Sequence, residues 1–158
     1  MRQLTREVKI LKRVFFRGFL WLVVAGFPCL AMSAETIELT QTGCQFVQPE
    51  GIDHQFHTRS AEDCEAVNEQ TGSVRLKESD VMRLRAGDYV FRVKNKNVPY
   101  ELGFWLRGTG LQRLTLPSVS GGGISTGASR DYAISLEPGE YRYSCPLNPT
   151  PDYILIVE

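Results

Sequence analysis

Histidine is nearly missing from this sequence: His54 and His57 are the only two. A Ser–His–acid set for nucleophilic hydrolysis has almost nowhere to form, and neither paired carboxylates in a defined frame nor a nucleotide motif stands in its place. An excess of basic charge is missing too. The chain has 18 basic and 18 acidic residues. Residues 1–34 take 6 of the basic and 1 of the acidic ones, leaving 12 against 17, a net of −5, on the remainder. A nucleic-acid backbone demands a basic face, so that partner is excluded. There is no internal repeat, and no alternation of helices with strands that would build a parallel sheet.

A long apolar run is also lacking, and the run that exists is informative. Arg2, Arg6, Lys9, Lys12, Arg13 and Arg17 stand against Glu7 alone, and an apolar stretch from Phe19 through Ala31 follows. It ends in the small residues Ala31, Ser33 and Ala34. A basic start, an apolar middle and a small-residue exit read as a secretory signal peptide over residues 1–34. The stretch is shorter than the roughly 20 residues that span a bilayer, and Pro28 interrupts it. Cys29 follows Pro28 without a lipid-attachment pattern. The expected product is an exported, periplasmic domain of residues 35–158 with no stable membrane span after cleavage, large enough to bury one core.

Cysteine is scarce, with Cys44, Cys64 and Cys145 left after the leader. In an oxidising compartment an even set forms disulfides. Cys44 and Cys64 are close in sequence and are expected to pair, leaving Cys145 as a free thiol. Ser60 is a candidate helix N-cap, Glu62 and Asp63 suit a first turn, and Gly72 is a candidate stop, so a short helix over 61–71 is expected to carry Cys64.

The rest alternates with period two. Tyr89, Phe91 and Val93 form one face, Tyr100, Leu102, Phe104 and Leu106 another. Tyr132, Ile134 and Leu136, then Tyr141, Tyr143 and Cys145, then Tyr153, Leu155 and Val157 follow. Turn residues fall at Ala86–Asp88, Lys94–Asn97, Arg107–Gly108, Ser120–Gly123 and Glu137–Glu140. This is the pattern of an antiparallel sandwich or barrel. The glycine run 120–123 has no following lysine and no strand–helix setting, so it reads as a turn and not as a phosphate loop. Trp105 and its aromatic neighbours read as sheet-face packing rather than as a stacking site.

The segment Leu136-Glu-Pro-Gly-Glu-Tyr-Arg-Tyr-Ser-Cys145-Pro-Leu-Asn148 with its Pro-rich continuation into Tyr153–Val157 resembles the C-terminal copper loop of cupredoxins. The upstream run Lys94–Phe104 is similar to the other half of such a site. Over roughly residues 81–157 the chain most resembles the periplasmic cupredoxin-like type associated with iron uptake systems. The resemblance implies an all-β, cupredoxin-like Greek-key β-sandwich with one short helix. It also places Cys145 as the thiolate ligand, Tyr100 at the first histidine position, Asn148 at the second, and Pro151, Asp152 or Tyr153 at the axial one. Type 1 copper wants two imidazoles and a thiolate, so electron transfer does not follow.

Two readings remain open. Cys145, Tyr100, Asn148 and Asp152 gathered at one sandwich end would hold a divalent metal weakly, copper or iron. Alternatively, they form an aromatic and amide plug that hydrogen-bonds across a lost metal site. The first gives a periplasmic, metal-associated protein without a type 1 centre. The second gives a metal-free interaction module that meets a periplasmic protein partner. His54 and His57, with Glu50 and Asp53 nearby, would supply two further ligands, short of the three or four a site normally uses; a plain polar loop is the preferred reading of this stretch. No enzymatic activity is expected.

Overall fold

The computed structural model describes residues 33–158. The expected leader, residues 1–34, lies outside them apart from Ser33 and Ala34. Among the described residues no helix is long and apolar enough to cross a membrane.

Strand β1 (Glu35–Thr42) turns at Gly43–Cys44 into the two-residue β2 (Gln45–Phe46), followed by a single helical turn α1 (Val47–Glu50). Gly43 is required there: a Cβ on it would lie 2.4 Å from the Phe56 carbonyl oxygen. Cys44 completes the turn in the left-handed region at φ 62°. Helix α2 (Ala61–Glu78) leads to β3 (Met82–Leu84), β4 (Gly87–Asn95) and β5 (Leu102–Gly108). A 3-10 turn (Gly110–Leu114) precedes β6 (Val119–Ile124), and β7 (Ser129–Leu136), β8 (Gly139–Ser144) and β9 (Tyr153–Val157) complete the fold.

Two sheets result, in the orders β2-β1-β4-β7 and β3-β9-β8-β5-β6. The turn at Glu137–Pro138 carries the chain from one sheet to the other. The alternating residues read from the sequence are the inward ones: Tyr89, Phe91, Val93, Leu102, Phe104, Leu106, Tyr132, Leu136, Tyr141, Tyr143, Tyr153, Leu155 and Val157 are all buried. Phe46 enters the same core and meets Phe104, Tyr143 and Tyr153 edge-on at 5.6–6.1 Å between ring centres. Aromatic edge-to-face packing of this kind adds to the area term. Among the described residues the core positions run from Leu39 to Val157.

Four expectations need correction. The sheets are not wholly antiparallel, because β1 runs parallel to β4 and β3 parallel to β9. Residues 120–123 are not a turn but part of β6, an edge strand of its sheet. The glycines suit it because a Cβ on Gly121 would lie 3.0 Å from the Tyr132 ring, whose hydroxyl donates to the Gly121 carbonyl. Arg107 and Gly108 belong to β5 itself, and Gly108 admits the backbone of Gln112, 2.7 Å from where a Cβ would sit.

Helix α2 starts where expected, with a capping box of Ser60 and Asp63, but runs through Gly72 to Glu78. Its inward residues Cys64, Gly72 and Arg75 are buried. This is not an apolar stripe. The helix is docked by a covalent bond at one end and a buried ion pair at the other, so Gly72 does not stop it.

The covalent bond is the Cys44–Cys64 disulfide, which leaves Cys145 free and buried. Closing a loop of 20 residues restrains the unfolded chain by about 3 kcal/mol. Cys64→Ser is therefore expected to lower stability by about 2–4 kcal/mol in urea denaturation. The near-ultraviolet signal of the tyrosine-rich core should survive at low denaturant, because α2 contributes only Leu76 to the margin of that core.

Candidate functional site

The loop from β8 to β9, residues 145–152, closes one end of the sandwich. Asn148 is its fixed point and is fully buried. Its Oδ1 accepts from the Cys44 N–H at 3.0 Å and from the Tyr100 hydroxyl at 3.1 Å, and its Nδ2 donates to the Thr42 carbonyl at 3.0 Å. Two protein donors therefore lie within reach of the lone pairs of this amide oxygen. Cys64 Sγ lies 3.1 Å from the same oxygen. A disulfide sulfur carries no proton, so this is a close contact and not a hydrogen bond.

Tyr100 sits just before β5 with its hydroxyl among Thr58 Oγ1 at 3.3 Å, the Ser60 carbonyl at 3.1 Å and Asn148. One proton serves Ser60 or Asn148, and the Thr58 hydroxyl can donate in return. Burial raises the Tyr100 pKa above its ordinary value. Tyr100 and Asn148, the two positions matched to histidines, thus bond to each other, against the disulfide and the start of α2.

Cys145 lies beneath them, 1% exposed. Its Sγ accepts the Gly103 N–H at 3.2 Å, and its own N–H donates to Thr150 Oγ1 at 3.1 Å. Burial pushes the thiol pKa up, opposed by the backbone N–H groups of Gly103, Asn148 and Leu147 and by the Gln41 side chain. Gln41 is fully buried and its Nε2 donates to the Gly103 carbonyl at 2.8 Å. Its inward register beside Ile37 and Leu39 was the sequence signal for a buried polar group.

Asp152 does not join this set. Its carboxylate takes a fork of two bonds from Arg107 Nη2 at 2.7 and 2.8 Å on the outer side of the sheet. Arg107 in turn covers the Trp105 ring at 4.0 Å. The histidines also part company, since residues 52–57 form an irregular loop and not a helix. His54 Nε2 lies 2.8 Å from Glu50 Oε2. His57 is exposed and lines a polar cleft of about 820 Å³ between residues 53–59 and 96–99, together with Asp53, Arg59 and Lys96. Asp53 is held there by Lys96 at 3.1 Å, which together with the Gln55 N–H lowers its pKa against the opposing effect of burial. Among the described residues no group of three or more His, Cys, Asp or Glu side chains converges as a metal site.

Sequence reasoning missed the strongest charges at this end. Glu50, buried in α1, receives Arg75 Nε at 3.0 Å and Nη2 at 2.7 Å, and the Tyr153 hydroxyl as well. Arg75 also donates to the Cys44 carbonyl at 2.9 Å and to Asn68 Oδ1 at 2.8 Å, and Asn68 reaches the Pro149 carbonyl. Helix, first hairpin and final loop are joined through one guanidinium. Nothing in the spacing of Glu50 and Arg75 announces this pair, which depends on the tertiary fold.

No protein-family model matches the chain, and no curated protein matches it. Solved structures do. Auracyanin B aligns over 80% of this chain and 91% of its own length at 13% identity, with a TM-score of 0.50. An oxidised amicyanin variant covers 81% and 87% at 12% identity and a TM-score of 0.43. Auracyanin A, titled a "blue" copper protein from the green thermophilic photosynthetic bacterium Chloroflexus aurantiacus, covers 80% and 100% at 13% and 0.42. The fold is cupredoxin-like. In this cupredoxin-like sandwich the loop after β8 carries Cys145, and the Tyr100 and Asn148 side chains near it bond to each other.

Two outcomes follow for this end of the domain. Removing Glu50 strands the buried Arg75 charge, so Glu50→Ala is expected to cost about 3–5 kcal/mol by chemical denaturation, near the upper range for single substitutions. Cys145, buried and with a raised pKa, is expected to resist iodoacetamide at neutral pH in the native protein and to react on unfolding. Fast native alkylation would contradict the burial.

Proposed function

We propose that this is an exported, periplasmic, non-enzymatic binding module that works without a metal centre. One observation carries the reading: the amide oxygen of Asn148 and the hydroxyl of Tyr100 are already engaged by protein groups. A metal at those positions would have to break the Tyr100–Asn148 bond and the Cys44 N–H bond, and leave buried donors unpaired. The basic, apolar and small-residue order of residues 1–34 supports export, and the disulfide suits an oxidising compartment.

The binding surface is the cleft beside the plug. Its two carboxylates are committed, Asp53 to Lys96 and Thr42, and Asp63 to the N–H groups of Arg59 and Ser60. The side chains of Arg59 and His57 carry no such bonds among the described residues and stand available to a protein partner's acceptors.

Metal handling, with copper or iron, is the second reading. The observation that favours it is Cys145, whose sulfur is ringed by N–H donors suited to a thiolate.

Titration of the purified protein with Cu(I), Cu(II) and Fe(II), followed by elemental analysis, separates the two. The binding-module reading expects no stoichiometric metal and no thiolate-to-copper absorption band. Stoichiometric binding that disappears in Cys145→Ala would establish the second reading. Capture from the exported fraction, repeated with Arg59→Ala and His57→Ala, tests the surface: the partner should be lost with these changes and kept with Arg83→Ala, on β3 and outside the cleft.

A further inference from the structure

Strand β1 is paired along its whole length with β4 on one side, from Glu35 to Gln41. On the other side only Gln41 and Thr42 have a strand partner, the short β2. The Thr40 N–H is taken by Gln48 Oε1 at 2.7 Å. In a strand, the N–H and C=O of one residue point to the same side and successive residues alternate. The Gln41 carbonyl accepts from the Lys96 N–H on the β4 side, and the Thr40 N–H points the opposite way. The backbone groups of Thr36 and Glu38 therefore point outward along an edge that nothing among the described residues pairs. Both residues are exposed.

We infer that this edge pairs with the same edge of a second copy, antiparallel about a two-fold axis at Ile37. An unpaired strand edge is a template for another strand, and self-pairing is the arrangement a closed dimer requires. The register follows from the side chains. With Thr36 opposite Glu38 of the second copy, each N–H meets the other's carbonyl, and the axis repeats the pair. Ile37, half-buried and packed against the core, then faces Ile37 of the second copy in the close, non-hydrogen-bonded position, extending the core across the axis.

Moving the register one step so that Glu38 faces Glu38 opposes like charges, which is unfavourable. Moving it the other way lays Glu35 beside Ile37 and loses the apolar pair. The chosen register joins two four-stranded sheets into one continuous sheet. The contact is short compared with a standard interface, so the dimer is weak and concentration-dependent. This edge is separate from the cleft and from the plug, and the inference does not depend on what either of them binds.

The test uses the protein purified from the exported fraction. Sedimentation equilibrium across a concentration series is expected to show a reversible dimer. Thr36→Pro removes only the outward N–H and should weaken the dimer about tenfold or more, leaving the monomer's thermal midpoint close to that of the wild type. Under oxidised glutathione, which is reduced as the bond forms, Ile37→Cys should give a disulfide-linked dimer. The close pair brings Cα atoms to about 4.5 Å, inside the disulfide range. Glu38→Cys, opposite Thr36 and not itself, should crosslink far less. A wild type that stays monomeric, together with equal crosslinking of Ile37→Cys and Glu38→Cys, overturns the inference. So does a dimer that Thr36→Pro leaves intact. If Thr36→Pro fails to fold, the crosslinking comparison still decides.

Discussion

The carboxylate of Glu50 is buried at the closed end of the sandwich, and its charge dictates what surrounds it. An isolated carboxylate in such a place costs several kcal/mol, so a cation must come to it. Arg75 comes from the last turn of α2, which explains why that helix is longer than its glycine suggests and why it lies where it does. The guanidinium has donors to spare after the carboxylate is satisfied. They go to Cys44 and Asn68, and Asn68 in turn fixes the Pro149 carbonyl. Tyr153 and His54 complete the shell from β9 and from the loop after α1. The pair adds little stability over a well-packed apolar substitute. What it adds is position: three distant pieces of chain have one arrangement that leaves no charge unpaired.

The plug is built on that arrangement. Once Arg75 and the disulfide hold the β1–β2 turn against the helix, the Cys44 N–H and the Thr42 carbonyl face the final loop. One amide, that of Asn148, satisfies both. The Tyr100 hydroxyl lies within hydrogen-bond distance of the same amide oxygen and of the Ser60 carbonyl. A histidine at either position would offer a differently placed donor and acceptor, and the turn would lose a partner. Tyr100 and Asn148 therefore belong to the same network as the disulfide and the helix.

The period-two pattern made most of the strands legible, because Tyr89, Phe91 and Val93, or Tyr141 and Tyr143, declare their inward face directly. The resemblance over residues 81–157 pointed to the fold, and the two packed sheets agree with it. The failures have separate causes. Gly72, Gly108 and Gly121–Gly123 looked like breaks because glycine is the usual break, yet Gly108 and Gly121 sit in strands to admit a neighbouring backbone or ring. Asp152 looked like a ligand from its distance along the chain, but a residue at the outer register of the sheet meets Arg107 instead. Glu50 with Arg75 had no local signature at all, since 25 residues and a covalent bridge separate them.

The same physical argument bears on what the domain presents to its surroundings. Polar groups at the closed end are nearly all matched inside the protein, so a partner arriving there gains from Arg59, His57 and the rim of the cleft and disturbs nothing below. Cys145 is the exception in kind: it is matched by donors that would favour its charged form, while burial favours the neutral one. Because the thiol is 1% exposed, burial dominates as long as the loop 145–152 stays closed. That closure is held by Asn148 and by Asn68 on Pro149, hence by Arg75 and Glu50. The state of the Cys145 thiol is in this way tied to the buried ion pair, although the two do not touch.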